Sequence, residues 1–310
     1  MLRLRIKPIA SDSMGTRSMA TYVETSDVKV FIDPGVALAP IRYGLPPHPL
    51  ELRRLDEHWR AIVKYAEKAE VIIITHYHYD HHSPSEDLNI YDGKMVFVKH
   101  PSERINLSQK IRAAYFLEVI KNRPEKIEYC DGNKFMFGNT LLEFSKPVYH
   151  GTNPKLGYVV EILIDDGVEH FVYTSDVEGA SIQDQVEFVL CSKPNVLYVD
   201  GPMSYMLGYR YSKKSLEGSV KNLIKTIGTH PLKTLILDHH LLRDLKWKEK
   251  LSDVINEAKD KKVEVKTAAD YAEKPQDMLE ARRKELYEKY SPKLNFNPIE
   301  DAKILGARDT

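Results

Sequence analysis

The chain has 310 residues, with 45 Lys and Arg against 45 Asp and Glu, so its formal net charge is zero with His neutral. A chain of this length folds as one large domain or two ordinary ones and buries roughly three-quarters of its unfolded surface. At 42% hydrophobic and 29% charged residues it is not a disordered chain. Its charge balance argues against coating nucleic acid or anionic membrane by bulk charge, though it leaves room for a local basic patch.

The elements follow in chain order. Apolar runs rich in β-branched residues predict strands over 2–6, 20–24 and 28–32, and a 3.6-residue period predicts a helix over 50–69. Next come strands over 71–75 and 95–98, a helix over 103–121, and strands over 141–144, 158–164 and 170–174. Asp165-Asp166-Gly167 is a hairpin turn between the last two. The remainder reads as a helix over 181–191, a strand over 196–200, a helix over 213–227, a strand over 234–238 and helices over 245–259 and 270–286. Early hairpins giving way to strand–helix alternation predict a layered α/β domain with mixed or antiparallel sheets over residues 1–268. Residues 269–310 are expected to be a C-terminal helix and polar tail packed on the same domain.

Only Cys130 and Cys191 occur, so there is neither a disulfide framework nor a thiolate zinc cluster. The first residues hold no signal-peptide core, and the apolar runs fall far short of the about 20 residues of a spanning helix. A cytoplasmic setting without a membrane partner is the expectation.

Histidine is the informative residue. The segment Thr75-His76-Tyr77-His78-Tyr79-Asp80-His81-His82 follows the apolar run over 71–74. His76 and His78 are two apart, so an extended backbone points both the same way. The rings of His76, His78 and His81 would repel one another if protonated this close together. A cation removes that conflict by taking neutral nitrogens and a carboxylate as ligands, with zinc suited and iron or manganese as competitors. His150, Asp176 and the pair His239-His240 each end a further strand-like run. Singly they say little, but their order carries weight.

HxHxDH, then a strand-end His, a strand-end Asp and a last strand-end His resembles the metallo-β-lactamase-fold hydrolases. The opening is similar too, with a glycine-bearing loop over 14–18 and Val30-Phe31-Ile32-Asp33-Pro34-Gly35. The segments SMGTRSMATYVET, DGPMSYMLGYR and LDHHLLRD look like an archaeal subfamily of it. The resemblance implies a four-layer αββα sandwich of two mixed β-sheets and two divalent ions. His76, His78 and His150 would hold one ion, and Asp80, His81 and a late His the other, with Asp176 bridging. The late ligand is His239 or His240, and the register over LILDHHLLRD favours His239, with Arg243 following. By the same analogy Asp33 accepts a hydrogen bond from a ligand His, and Asp238 does so near the late ligand. His82 and His240 are left as supports of the ligands or structural residues.

Two cations roughly 3.5–4 Å apart share a water and lower its pKa towards about 7. The expected chemistry is hydrolysis of an ester, lactone or phosphodiester by a bridging hydroxide, with Asp80 orienting it. Arg17, Tyr205, Arg210 and Arg243 are candidate substrate contacts, because Arg suits phosphate or carboxylate through its planar fork. A small substrate is favoured over RNA or DNA. The 63-residue step from Asp176 to His239 is too short for the domain that RNA-cleaving relatives insert there, and no basic arm is evident. A nuclease is the alternative. A non-catalytic scaffold is disfavoured because all seven ligands are present. A di-iron redox enzyme is disfavoured because His78 stands where those relatives carry Glu. Oligomeric state is left open.

Overall fold

The computed structural model describes residues 4–228 and 231–290. The first sheet has six strands in the order β1 Arg5–Pro8, β2 Thr21–Glu24, β3 Lys29–Ile32, β4 Val71–Ile74, β5 Met95–Val98 and β6 Lys126–Tyr129. β1, β2 and β3 pair antiparallel, and β3 to β6 run parallel. The second sheet contains β7 Lys134–Phe137, β8 Thr140–Phe144, β11 Ile162–Asp165, β12 His170–Tyr173, β13 Val196–Asp200, β14 Thr234–Asp238 and β15 Glu264–Lys266. Its order is β15-β14-β13-β12-β11-β8-β7, parallel from β12 to β15 and antiparallel elsewhere. β9 Val148–Tyr149 and β10 Tyr158–Val159 pair separately. The parallel strands explain the continuous apolar runs, since β4 and β14 are buried at every residue.

The inner faces of the two sheets share one core, in which Val30, Ile73 and Phe97 of the first sheet pack with Ile162, Tyr173 and Ile236 of the second. The outer face of the first sheet is covered by α1 Pro49–Ala66 and α2 Leu107–Ile120, through Ile62 and Phe116. α3 Asp184–Ser192, α4 Lys213–Ile227 and α6 Ser252–Asp260 cover the second, through Val189, Leu223 and Val254. Short α5 Trp247–Lys250 and α7 Ala268–Tyr271 and the C-terminal α8 Leu279–Lys289 complete the helices. This is the four-layer αββα sandwich with two mixed sheets of the metallo-β-lactamase fold.

Several element boundaries differ from expectation. The helix expected over 270–286 is two, α7 and α8, because Pro275 lies between them and cannot donate to a helical ladder. The strand expected over 158–164 breaks between β10 and β11. There the backbone changes partners: the Val160 amide donates to the Thr75 carbonyl at 3.2 Å, and the Ser145 amide to the Glu161 carbonyl at 2.9 Å. That crossing brings the His150 loop to the end of β4. α8 packs against α1 through a fully buried pair in which Arg283 donates twice to Glu51, at 2.7 and 2.8 Å. The expected polar tail, 291–310, lies outside the described residues, as does the start of the first expected strand.

Glu161 sits at the same crossing, fully buried, with neither carboxyl oxygen hydrogen-bonded among the described residues. Burial pushes its carboxyl well above the ordinary 4.5. A raised folded pKa gives stability that is complete below the unfolded value and lost as pH rises through the folded one. Glu161→Gln should therefore raise unfolding free energy at pH 8 by about 1–3 kcal/mol, with the gain shrinking towards pH 4. Denaturant melts across that range check this; a gain independent of pH would show that ionisation is not the cause.

Candidate metal centre

Parallel strands of both sheets deliver their C-terminal ends to one edge of the sandwich. His76 follows β4, Asp33 follows β3, Asp176 follows β12, Asp200 ends β13, and His239 follows β14. His150 follows β9. Asp33, Ser175 and His239 adopt left-handed backbone, with φ of 50°, 59° and 55°. Such conformations cost non-glycine residues about 1–3 kcal/mol and gather where the surrounding structure enforces a function. Gly35 admits no side chain, because a Cβ there would lie 2.2 Å from the His82 amide nitrogen. The Asp33 turn can therefore press directly on the His81-His82 backbone.

The side chains converge in four neighbouring groups among the described residues, two of which are Asp33 with His76 and His81, and Asp176 with His239 and His240. In the other two, His76, His78, His150 and Asp176 bring ligand atoms within 4.8 Å of one another, and so do Asp80, His81 and His239. One oxygen, Oδ2 of Asp176, joins them: it is 2.8 Å from His150 Nε2, 3.8 Å from His76 Nε2, 3.7 Å from His81 Nε2 and 3.6 Å from His239 Nε2. His239 Nε2 is 3.7 Å from Asp80 Oδ2. Nε2 of His76 and of His81 are buried without a hydrogen-bond partner among the described residues. Buried polar groups are otherwise almost always partnered. Unpartnered imidazole nitrogens aimed at shared carboxylates are a donor set that fits divalent cations.

Outer carboxylates orient these rings. Asp33 Oδ2 is 2.8 Å from His81 Nδ1 and also accepts from the Thr75 and Tyr173 hydroxyls. Asp12 Oδ2 is 2.8 Å from His239 Nδ1. Asp238, expected to support the late ligand's ring, instead accepts from the backbone amides of Ser13, His239 and Ala268. It shapes the turn, because Asp12 already holds the ring. His240 Nδ1 is 3.1 Å from Asp200 and 3.0 Å from Asp176 Oδ1. His82 packs away from the centre, against Phe116 and Tyr77, with Nδ1 3.0 Å from the His78 carbonyl.

Burial, then the neighbouring rings of His81 and His78, hold His76 well below its ordinary pKa. Burial likewise lowers His78. Both are thus neutral, as ligands must be. Burial alone would raise Asp176, but His150, His240 and His239 hold it ionised, and His81 and His239 do the same for Asp80. Burial opposes charge on His239 too, yet Asp12 pushes it up to about 10, so a cation taking its Nε2 would have to displace a proton.

Of the expected substrate contacts, Arg243 is buried beside His239, with Nη2 3.4 Å from its Nε2. Tyr205 lies against it, its hydroxyl 3.5 Å from Arg243 Nη1. Arg17 pairs with Glu280 at 2.7 Å. Arg210 is exposed, and among the described residues no ion pair or side-chain hydrogen bond ties it to the cluster. Asp12, Asp200, Arg42 and Glu280 were not expected. Asp12 adjoins the glycine-bearing loop flagged at the start, but nothing local marks a partner 227 residues away.

No family model matches the chain. A UPF0282 protein of Korarchaeum cryptofilum is 55% identical over 287 residues, covering 93% of this chain and 95% of the relative. The chain belongs to the UPF0282 family. A UPF0282 protein of Sulfurisphaera tokodaii is 45% identical over 309 residues, covering 99% of this chain and all of its own length. Among solved structures, unliganded yeast PDE1 overlays 86% of this chain and 98% of its own at a TM-score of 0.51 and 15% identity. An isothiocyanate hydrolase from Delia radicum gut bacteria overlays 82% and 94% at a TM-score of 0.50 and 12% identity. These likenesses concern the fold. Among the described residues no helix is long and apolar enough to cross a membrane.

Proposed function

We propose that this chain is a binuclear metal-dependent hydrolase of a small ester, lactone or phosphodiester. His76, His78 and His150 would hold one ion and Asp80, His81 and His239 the other, with Asp176 shared. One observation carries the reading: a single Asp176 oxygen lies within 3.8 Å of ring nitrogens from both groups. Zinc suits the donors, with iron and manganese as competitors, and we place the protein in the cytoplasm.

When bound, the ions supply Lewis acidity and bring the pKa of a water towards roughly 7. The chain's own residues do the positioning. Asp33 and Asp12 engage the Nδ1 atoms of His81 and His239, which fixes the tautomer and turns Nε2 inward. Asp80, held ionised and partly exposed, accepts a hydrogen bond from the attacking water. Arg243 adds fixed positive charge beside the centre.

His239 is the better late ligand, because Asp12 orients its ring while His240 is engaged by Asp200. His239→Ala should lose one ion per chain by metal analysis and abolish turnover, and His240→Ala should retain both ions. The reverse pattern would move the ligand by one residue.

The substrate class is tested against RNA. Polymers that neutralise several charges lose affinity steeply with salt, and small esters do not. Hydrolysis of p-nitrophenyl esters, lactones or bis(p-nitrophenyl) phosphate should change less than about twofold between 50 and 200 mM salt, with no tight binding of single-stranded RNA. RNA cleavage at catalytic enzyme concentrations with steep salt inhibition would make the nuclease reading the better one. Among the described residues the step from Asp176 to His239 holds α3, β13, a short 3-10 turn at Ser204–Met206, α4 and β14, with no inserted domain, which favours the small substrate.

A further inference from the structure

A second gathering of charge lies at the rim of the centre. Three arginines from distant segments meet there: Arg17 from the loop after β1, Arg42 from the segment before α1, and Arg243 from the turn after β14. Arg243 Nε donates to Asp12 at 2.7 Å, and its two amino groups reach Tyr205 and His239. Arg42 lies between the rings of Tyr43 and Tyr205, 4.6 and 4.5 Å from their centroids, and donates to the Arg243 carbonyl at 3.3 Å. Its Nε is buried without a hydrogen-bond partner among the described residues. Arg17, partly exposed, donates twice to Glu280, at 2.7 and 2.8 Å. The nearer of those oxygens to Arg42 is 3.9 Å from its Nε.

Three guanidinium groups here face two carboxylates: Asp12, shared between Arg243 and His239, and Glu280. The remaining carboxylate comes from the first turn of α8. Glu280 is not needed to dock that helix, because Arg283 is clamped to Glu51 and the Tyr43 hydroxyl donates to the Ala281 carbonyl at 3.1 Å. A carboxylate in the fork of an arginine has the shape and charge of a substrate oxyanion in the same place.

We propose that Arg17, Arg42, Arg243 and Tyr205 form an oxyanion subsite beside the metal centre, taking a phosphate or carboxylate group of the substrate, and that Glu280 fills it until the substrate displaces it. The subsite rests on the hydrolase reading for the bond that is cleaved, but not for the binding of the anion. α8 stays anchored during displacement, and only the Glu280 side chain turns aside. A dianionic phosphate displaces it more readily than a singly charged carboxylate, so the internal carboxylate selects for charge.

The test uses the metal-loaded full chain and calorimetric titration with inorganic phosphate and, separately, acetate. Glu280→Gln should bind phosphate about 10-fold tighter and Arg17→Met about 10-fold weaker, with acetate weaker than phosphate throughout. With substrates, the ratio of kcat/KM for p-nitrophenyl hydrogen succinate, whose free carboxylate can reach the subsite while its ester lies at the centre, over neutral p-nitrophenyl acetate should rise in Glu280→Gln and fall in Arg17→Met. Unchanged or weaker phosphate binding by a folded Glu280→Gln overturns the proposal. So does wild-type affinity in Arg17→Met, which would place phosphate on the ions alone. Should Glu280→Gln not fold, Arg17→Met and Arg42→Met decide the matter by the same criterion. The expected phosphate pattern without turnover of any ester would sink the hydrolase reading and leave the subsite standing. Turnover that ignores both substitutions would do the reverse.

Discussion

Asp176→Ala should strip metal from both positions and lower turnover by about 10³-fold or more, equivalent to ~4 kcal/mol of transition-state stabilisation. The Asp176 carboxylate lies between the two groups. Its Oδ2 faces His150 and His76 from one group and His81 and His239 from the other. Removing it also leaves several buried imidazoles without an opposing charge, so both loading and fold stability are expected to fall. Metal analysis and a thermal melt on the same sample separate the two effects. A variant that keeps two ions and wild-type turnover would end the shared-carboxylate reading.

The other large effect is structural. Arg283→Ala should cost about 3–5 kcal/mol, which is roughly 5–8 °C in melting temperature for a chain of this size. Arg283 is fully buried, donates twice to Glu51, and also donates to the Leu45 and Ala39 carbonyls at 3.1 and 2.9 Å. Truncation leaves the Glu51 carboxylate and two carbonyls buried with fewer partners. Replacing both members, as Glu51→Leu with Arg283→Met, should recover part of the loss, since the isolated charge then disappears. A double variant no more stable than Arg283→Ala would show that the carbonyl contacts, not the ion pair, carry the effect.

The centre was readable where its chemistry is local. His76, His78, Asp80 and His81 fall within six residues, and an extended segment with a turn forces them together whatever the rest of the chain does. His150, Asp176 and His239 were found only as an ordered series of strand ends. The groups that orient them were legible in part: Asp33 is flagged by the strand-turn pattern before Gly35, whereas Asp12 and Asp200 reach their histidines through tertiary packing that no spacing encodes. The central strands were plain because burial on both faces demands unbroken apolar runs. β6, β7 and β15 were missed for the opposite reason. Each lies at an edge, exposes much of its length and carries charged residues at positions where a central strand would carry Val or Ile.

Those same edges govern how the molecules meet one another. Both sheets end on strands bearing cationic side chains: Arg5 and Lys7 on β1, Lys126 on β6, Lys134 on β7 and Lys266 on β15. Arg5, Lys126, Lys134 and Lys266 are each matched to a nearby glutamate, namely Glu24, Glu128, Glu143 and Glu264. Pro8 at the end of β1 removes a donor as well. A second copy docking edge to edge would have to dehydrate these ion pairs before gaining a ladder of hydrogen bonds. The native fold is thereby guarded against sheet-by-sheet growth into fibres, and a concentrated solution would aggregate by that route only after the edges themselves had come apart.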